Sequence, residues 1–293
     1  MTQSQTAVLI AAPGALDMAR VEALRAAWGG SALRLLSAGE AAEFDLSAAP
    51  ADIEVQWQQM QEAGIDLAVL PTEGRRKRLL LADMDSTMIA QECIDELAAE
   101  AGVGPRVAEI TARAMNAELN FEEALTERVA LLEGLDEAVI ARVLETRITL
   151  APGGAVLVAT MKAHGAHAAL VSGGFTAFTG PVAARLGFDE HRANVLLAEE
   201  GKLTGRVQPP ILGREAKVEA LEEIAKGLGL TAQQVLAVGD GANDLGMLTR
   251  AGLGVALHAK PVVAAQARTR INHGDLTALL YLQGYRKDGF AGL

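Results

Sequence analysis

The stretch Leu79-Leu-Leu-Ala-Asp-Met-Asp-Ser-Thr87 indicates the fold of this 293-residue chain. It opens with an uninterrupted apolar run, which is typical of a strand buried on both faces of a parallel sheet. Comparable runs occur at residues 168–171, 235–238 and 253–256, and helical patterns lie between them. Strands that alternate with helices predict a doubly wound α/β domain, in which ligands bind at the carboxyl ends of the strands.

Polar residues stand directly after the first three of these runs. Asp83 and Asp85 follow the first run, Ser172-Gly-Gly174 follows the second, and Gly239-Asp-Gly-Ala-Asn-Asp244 follows the third. Two carboxylates as close as Asp83 and Asp85 repel each other unless a cation lies between them or one is protonated. One of them can then be a metal-bound nucleophile and the other a general acid and base, although Asp-Ser-Thr also suits a helix cap.

The second and third motifs suit a phosphate group and a metal ion. Ser172 offers a hydroxyl beside the backbone N–H of Gly173; this pair can hold phosphate oxygens but is also common in strand-to-helix turns. Asp240, Asn243 and Asp244 offer the hard oxygen ligands that Mg²⁺ prefers. An ordinary polar turn has the same composition, so the magnesium prediction depends on the neighbouring acids.

A lysine on a predicted helix extends this candidate site. Residues 213–228 have helical spacing, and Lys217 lies beside the apolar positions Leu221 and Ile224. From there the ammonium group can reach a phosphate as a point charge. It can equally extend along the apolar surface to water, as long cationic side chains do.

The segment of about residues 90–150 is longer than an ordinary crossover and mostly helical in pattern, so we predict a cap above the site. Arg128 lies on the apolar stripe of one of these helices. A cation on an inward face needs an anionic partner, which is either a structural acid such as Glu109 or Glu118 or a substrate carboxylate. Glu92 can bind a substrate ammonium, although the sequence alone favours a solvated or capping acid.

The first 74 residues have a different pattern and predict a small α+β domain. Strand-like runs alternate there with helical patterns, the former at 7–11, 33–36 and 66–70 and the latter at 17–28 and 50–64. A polar break followed by the basic quartet Arg75–Arg78 ends the pattern, so we divide the chain into domains 1–74 and 75–293. We interpret the quartet as a solvated linker rather than a nucleic-acid patch, because it is short and lacks aromatic neighbours.

The composition disfavours several classes of partner and site. A net charge of −11 and an aromatic content of 3% argue against nucleic acids, whose binding needs positive charge and stacking surfaces. The single cysteine, Cys93, excludes an internal disulfide and a cysteine-rich zinc site. The N-terminus lacks a signal-peptide pattern, and no apolar run approaches the roughly 18 residues of a membrane span. We expect a cytoplasmic protein with a small-molecule substrate and no membrane partner; pairing of N-terminal sheet edges would make a homodimer.

The order of Asp83-Met-Asp-Ser-Thr87, Ser172-Gly-Gly174, Lys217 and Gly239–Asp244 resembles the haloacid dehalogenase-like phosphatase superfamily, over about residues 78–282. Within it, Glu92 and the cap sequence 120–132 resemble the members that act on O-phospho-L-serine. The resemblance implies a Rossmann-like phosphatase core with a helical cap insertion. The first 74 residues look at most like the ACT-type regulatory domains of some relatives.

The resemblance also implies a role for each motif residue. Asp83 is the expected nucleophile, which forms an aspartyl-phosphate, and Asp85 is the expected general acid and base. Mg²⁺ is expected on the Asp83 carboxylate, the Asp85 backbone carbonyl and Asp240, with Asp244 in support. The groups expected to hold the substrate are Ser172, the Gly173 N–H, Lys217 and Asn243 for the phosphoryl group, Glu92 for the ammonium and Arg128 for the carboxylate.

The implied function is magnesium-dependent hydrolysis of O-phospho-L-serine to L-serine and phosphate, the last step of serine biosynthesis. Two alternatives stay open at this point. The same fold can act on another small phosphorylated metabolite or pass phosphate to an amino-acid alcohol such as homoserine. A non-catalytic amino-acid sensor is the alternative from another class, although a sensor has no need for a whole reaction centre.

Overall fold

The computed structural model describes residues 4–115 and 118–293. The predicted N-terminal domain and cap therefore include residues, 1–3 and 116–117, that lie outside the described ranges. Within those ranges the strands form a four-stranded sheet, a six-stranded sheet and a two-stranded hairpin. We call the first two the N-terminal sheet and the core sheet.

The N-terminal sheet is antiparallel, and two helices accompany it. Its elements in chain order are β1 (Gln5–Ala11), α1 (Met18–Ala27), β2 (Arg34–Ser37), β3 (Ala41–Leu46), α2 (Ile53–Glu62) and β4 (Ile65–Pro71). The strands lie in the order β2-β3-β1-β4. The α+β prediction is confirmed, but the sequence pattern missed β3. Acidic residues interrupt its apolar run, and Arg34 on β2 pairs with both Glu43 at 3.0 Å and Asp45 at 2.7 Å.

The core sheet is parallel throughout, as the doubly wound prediction requires. Its strands are β5 (Leu79–Ala82), β6 (His167–Phe175), β7 (Glu190–Asn194), β10 (Val235–Gly239), β11 (Leu253–Leu257) and β12 (Thr269–Ile271). They lie in the order β12-β11-β10-β5-β6-β7. The four predicted apolar runs are the central strands. The missed strands β7 and β12 are at the edges, where a strand needs less apolar sequence because one side is unpaired.

Helices cover both faces of the core sheet and build the segment above it. Those of the predicted cap are α3 (Cys93–Glu100), α4 (Gly104–Met115), α5 (Phe121–Ala130) and α6 (Ala138–Thr146). The remaining helices are α7 (Gly154–Ala163), α8 (Thr176–Leu186), α9 (Arg214–Gly227), α10 (Leu245–Arg250), α11 (Pro261–Ala264) and α12 (Ala278–Leu282). The helical character predicted for 90–150 is confirmed.

An unpredicted hairpin joins the cap. Its strands are β8 (Leu196–Glu199) and β9 (Lys202–Val207), and we call it the cap hairpin. Its backbone bonds to the loop between α5 and α6: the N–H of Gly134 donates to the carbonyl of Leu203, and the N–H of Leu203 to that of Leu135, both at 2.8 Å. The cap therefore consists of two separate chain segments held together by main-chain hydrogen bonds.

The two sheets share one hydrophobic cluster, which includes Val8 and Ile10 from β1 together with Leu279 and Leu280 from α12. The basic quartet lies at this seam. Arg75 bonds to Glu43 at 2.7 Å, and Arg76 stacks on the ring of Tyr285 with 4.4 Å to its centroid. The interpretation of the quartet as solvated is wrong for Arg75, which also donates to the carbonyl groups of Tyr281 and Leu282, whereas Arg76 and Arg78 are exposed. The domain boundary itself stays a prediction.

Candidate active site

The order of the strands in the core sheet brings the polar motifs together at the carboxyl ends of its central strands. Strand β5 pairs with β10 on one side and with β6 on the other, so Asp83 and Asp240 directly follow two adjacent strands and Ser172 lies near the carboxyl end of the third. The apolar run predicted Ser172-Gly-Gly174 directly after the strand. In the structure these residues lie inside the end of β6. The pairing of β6 with β7 shifts between Val171 and Phe175, which marks an irregularity at the polar residues.

Three buried carboxylates, those of Asp83, Asp240 and Asp244, form what we call the acidic cluster. Each offers an oxygen that lies within 4.8 Å of the others. The ammonium group of Lys217 lies 2.7 Å from Asp83 Oδ1 and 2.6 Å from Asp244 Oδ1. Only 2% of the Lys217 side chain is exposed, so it does not extend to water.

The electrostatics of the acidic cluster favour a further cation. Burial, and then the charge of Asp244, raise the pKa of both Asp83 and Asp240. Burial alone would lower the pKa of Lys217, but Asp83 and Asp244 outweigh it and raise that pKa. Asp83 and Asp244 thus share the ammonium group of Lys217, whereas the charge of Lys260 acts more strongly on Asp240 than that of Lys217 does. Because carboxylate oxygens are the ligands that Mg²⁺ prefers, the donor set fits a magnesium ion held by Asp83 and Asp240.

Asp244 also shapes the loop that carries Asp240. Its Oδ2 accepts hydrogen bonds from the backbone N–H groups of Asp240 at 3.1 Å and Gly241 at 2.9 Å. A methyl group on Gly239 would lie 2.4 Å from Asp244 Cγ, so only glycine permits this approach. Thr87, which the sequence reasoning missed, donates to Asp240 Oδ1 at 3.2 Å.

Asp85 lies in a turn and is hydrogen-bonded separately from the acidic cluster. The strand ends at Ala82, so Asp83 and Asp85 do not lie on one face of an extended strand. Asp85 Oδ1 accepts from the N–H of Cys93, the first residue of α3, at 2.8 Å, and Oδ2 accepts from Ser172 Oγ at 3.2 Å. Burial raises the pKa of Asp85, which suits a group that exchanges a proton. A methyl group on Gly174 would lie 2.7 Å from Asp85 Oδ2.

The cap places Glu92 and Arg128 near these acids. The capping box of Asn120 and Glu123 starts α5, and Arg128 near its end donates from Nε to the carbonyl of Ala124 at 3.2 Å. Burial lowers the pKa of Arg128, whereas the charges of Asp95, Glu92 and Asp85 act in the opposite direction. In the described part of the chain no carboxylate forms an ion pair with Arg128.

Within the described ranges, the two structural acids that the sequence suggested as partners of Arg128, Glu109 and Glu118, do not form an ion pair with it. Glu118 lies 4.0 Å from Arg113, which also bonds to Glu127 at 2.8 Å. No ion pair between Arg128 and Glu109 occurs among the described residues. Among the described residues Asp95 is the acid whose charge acts most strongly on Arg128, and it does not form an ion pair with the guanidinium.

Glu92 occupies the N-cap position of α3, but its side chain makes no capping hydrogen bond. Its Oε1 instead accepts from Ser86 Oγ at 2.8 Å. Ser86 has a φ of 54°, a left-handed conformation that is uncommon outside glycine. Part of Glu92 is exposed to solvent. Partial burial of its carboxyl group, and secondly the negative charge of Asp85, raise the pKa of Glu92 to about 7. Asn243 is half-buried on the same loop as Asp240, with its Oδ1 close to Gly241.

The model of one protein family, the haloacid dehalogenase-like hydrolases, matches residues 80–249, which is more than half of the chain and contains most of this site. The chain belongs to the haloacid dehalogenase-like hydrolase family. The match begins in β5, one residue into the stretch that leads to Asp83, and ends after Asp244.

Individual proteins of this family are similar over larger parts of the chain. A phosphoserine phosphatase of Streptomyces coelicolor is 45% identical over 227 residues, which are 77% of this chain and 55% of that protein. The chain thus spans about half the length of that relative. A solved haloacid dehalogenase family hydrolase, t0658 of Salmonella enterica serovar Typhi, has 30% identity and a TM-score of 0.87 and covers 95% of this chain and 98% of its own.

A solved structure described as a phospho-aspartyl intermediate analogue of phosphoserine phosphatase is 42% identical, with a TM-score of 0.66. It covers 70% of this chain and 98% of its own. The two solved structures thus cover 70% and 95% of this chain. Within the described residues no helix has the length and apolar character to cross a membrane.

Proposed function

We propose that this chain is a magnesium-dependent phosphatase that hydrolyses O-phospho-L-serine to L-serine and phosphate through an aspartyl-phosphate on Asp83. The observation that carries this proposal is the division between its acids. Asp83 forms an ion pair with Lys217 within the acidic cluster. Asp85 instead accepts hydrogen bonds from the N–H of Cys93 and from Ser172 Oγ. A nucleophile and a proton carrier need such different surroundings.

In the first step an Asp83 carboxylate oxygen attacks the phosphorus atom. The bond between phosphorus and the serine oxygen breaks, and its electron pair leaves with that oxygen, which takes the proton of Asp85. Asp85 then accepts a proton from water as that water attacks the phosphorus of the aspartyl-phosphate. Phosphate leaves, and the Asp83 carboxylate and the protonated Asp85 are restored. The raised pKa of Asp85 allows it to carry a proton before the first step and to take one up again in the second.

The remaining residues of the site neutralise and orient the phosphoryl group. Lys217 would supply a fixed positive charge, and Ser172 Oγ, the N–H of Gly173 and Asn243 would donate to phosphoryl oxygens. Asp83, the backbone carbonyl of Asp85 and Asp240 would hold Mg²⁺, while Asp244 would support that site. When bound, Mg²⁺ supplies charge neutralisation, on which phosphoryl transfer largely depends.

Recognition of serine is assigned to the cap. Arg128 has no ion-pair partner among the described residues, and a guanidinium fork suits a carboxylate. Glu92 carries the opposite charge on the same side of the site and would bind the ammonium group. The names of the curated relatives and of the solved phosphatase support this substrate.

The test is phosphate release from O-phospho-L-serine and a panel of other small phosphate esters, with Mg²⁺ and with EDTA. We expect release that prefers phosphoserine, stops with EDTA and is abolished in Asp83→Asn. Asp66→Asn, which changes a buried acid outside the site, is the matched control and should keep its activity.

The other outcomes separate the alternatives. Magnesium-dependent release from other esters but not from phosphoserine would retain the mechanism and reject the substrate. Transfer of phosphate to homoserine in place of water would indicate a phosphotransferase. Release from none of the esters would reject the phosphatase and favour the amino-acid sensor.

A further inference from the structure

Asn194 bridges two loops of the site although no motif contains it. It is the last residue of β7, and only 2% of it is exposed. Its Nδ2 donates to the carbonyl of Gly173 at 2.8 Å and to that of Leu212 at 3.3 Å. Its Oδ1 accepts from the N–H of Leu212 at 2.7 Å. One amide thus uses its donor and its acceptor on two separate chain segments.

Both of these segments carry groups to which the proposed function assigns the binding of the phosphoryl group. Gly173 belongs to the Ser172–Gly174 segment at the end of β6. Leu212 directly precedes Gly213, the N-cap of α9, and Lys217 is in the first turns of that helix. The ring of Phe121 also covers both segments, since methyl groups on Gly173 and Gly213 would lie 3.0 and 3.4 Å from its carbon atoms.

The chain after Asn194 leads directly into the cap hairpin. That hairpin is bonded to the loop that follows α5, the helix of Arg128; the N–H of Glu137 in this loop also donates to the carbonyl of Gly201 at 2.8 Å. Asn194 therefore lies where the core sheet, the Ser172–Gly174 segment and the cap meet.

We propose that Asn194 is a positioning residue, which fixes the Ser172–Gly174 segment at the end of β6 relative to the helix that carries Lys217. This inference rests on the proposed function of that site. The reason is geometric, because no backbone hydrogen bond in the described residues was found to join the two segments directly. Without the amide, Ser172 Oγ and the Gly173 N–H can shift relative to Lys217, and a misplacement on the order of 1 Å can cost about 10²-fold in rate.

The test compares Asn194→Ala with Asn272→Ala as a matched control. Asn272 also uses its amide to join two elements, donating to Gln61 Oε1 at 2.7 Å, but at the seam with the N-terminal sheet. For Asn194→Ala we expect kcat to fall about tenfold to a hundredfold on both O-phospho-L-serine and p-nitrophenyl phosphate. The affinity for inorganic phosphate, measured by calorimetry with Mg²⁺, should fall with it. Asn272→Ala should change neither quantity.

Two further variants separate positioning from general stability. Asn194→Gln keeps both a donor and an acceptor and should recover part of the phosphate affinity; it also replaces the alanine variant if that variant does not fold. In the double variant Asn194→Ala and Ser172→Ala, the losses in kcat should combine to less than their product, because both act through one segment.

Unchanged kcat and phosphate affinity in a folded Asn194→Ala protein, with only a lower melting temperature, would overturn the positioning role. So would fully multiplicative losses in the double variant. If no ester is hydrolysed by the wild type, the proposed function fails, while the phosphate affinities of the Asn194 and Asn272 variants still decide the role of Asn194.

Discussion

Asp66 and the acidic cluster both consist of buried acid, but they differ in how the negative charge is compensated. Asp66, at the seam between the sheets, is 1% exposed and accepts from the backbone N–H groups of residues 272, 273 and 274 at 2.8, 3.0 and 2.8 Å. Gln61 adds a donor at 3.3 Å. The acidic cluster instead gathers three carboxylates, of which Asp83 and Asp244 pair with the ammonium group of Lys217, while Asp240 forms no ion pair among the described residues.

The difference separates a structural acid from a chemical site. A buried carboxylate with a full set of donors is stable as it stands and anchors the loop that supplies them. Buried carboxylates that exceed their positive partners raise one another's pKa and bind a cation or a proton. Burial alone does not indicate function, whereas uncompensated burial in a cleft does.

Lys217→Met should produce the largest effect, because it removes the cation that pairs with both Asp83 and Asp244 in the acidic cluster. We expect kcat to fall by about 10²- to 10³-fold, the cost of one lost charge-stabilising donor. Without metal the protein should also be destabilised by about 3–5 kcal/mol, as when one partner of a buried ion pair is removed.

The measurements are steady-state kinetics and denaturant unfolding in EDTA. Asp66→Asn is the comparison, since it should lower stability by about 1–3 kcal/mol through lost hydrogen bonds and leave kcat unaltered. Equal effects of the two variants on kcat would remove the distinction between the two groups of acids.

Arg128→Ala should have the next largest effect, confined to substrates with a carboxylate. A charged hydrogen bond contributes about 1.5–3 kcal/mol, so KM for O-phospho-L-serine should rise by roughly 10- to 150-fold. KM for p-nitrophenyl phosphate, which has no carboxylate, should hardly change. Arg113→Ala is the matched control, because Arg113 pairs with Glu127 at 2.8 Å on the outer side of the cap helices. A similar rise in KM for both substrates would contradict the carboxylate assignment.

A smaller effect is expected from pH, through Glu92. Because its pKa is raised to about 7, Glu92 is a carboxylate above that pH and neutral below it. Only the carboxylate attracts the substrate ammonium, so KM for O-phospho-L-serine should increase as pH falls, roughly fivefold from pH 7 to pH 6.

The control for this titration is p-nitrophenyl phosphate, whose phosphate group titrates in a similar range but which has no ammonium. Its KM should lack the added rise. Glu92→Gln should likewise remove the difference between the two substrates over this range. Persistence of the difference in Glu92→Gln would assign it to another group.

The sequence was sufficient for the central strands and for the acids at their ends. Continuous apolar runs identify β5, β6, β10 and β11, and adjacent parallel strands bring Asp83, Ser172 and Asp240 to one edge. Glu43 and Asp45 hid β3, because the compensation by Arg34 comes from a neighbouring strand. The edge strands β7 and β12 lack apolar runs of their own.

The missing parts of the site are those fixed by contacts between distant segments. Thr87 and Asn194 are ordinary polar residues in the sequence, and only the tertiary structure brings them to Asp240 and to the Gly173 and Leu212 backbones. Lys217 had two interpretations until its burial was known. The Asn-x-x-Glu pattern at Asn120, in contrast, predicted a local capping box, because both partners lie within one turn.

Calorimetric titration of Mg²⁺ into metal-free protein tests most directly whether the excess of buried acid is the reaction centre. We predict one bound Mg²⁺ per chain in the wild type and in Asp66→Asn, and a loss of binding in Asp240→Asn together with a loss of phosphatase activity. Unaltered Mg²⁺ binding in Asp240→Asn, or its loss in a folded Asp66→Asn, would show that the acidic cluster is not the metal site.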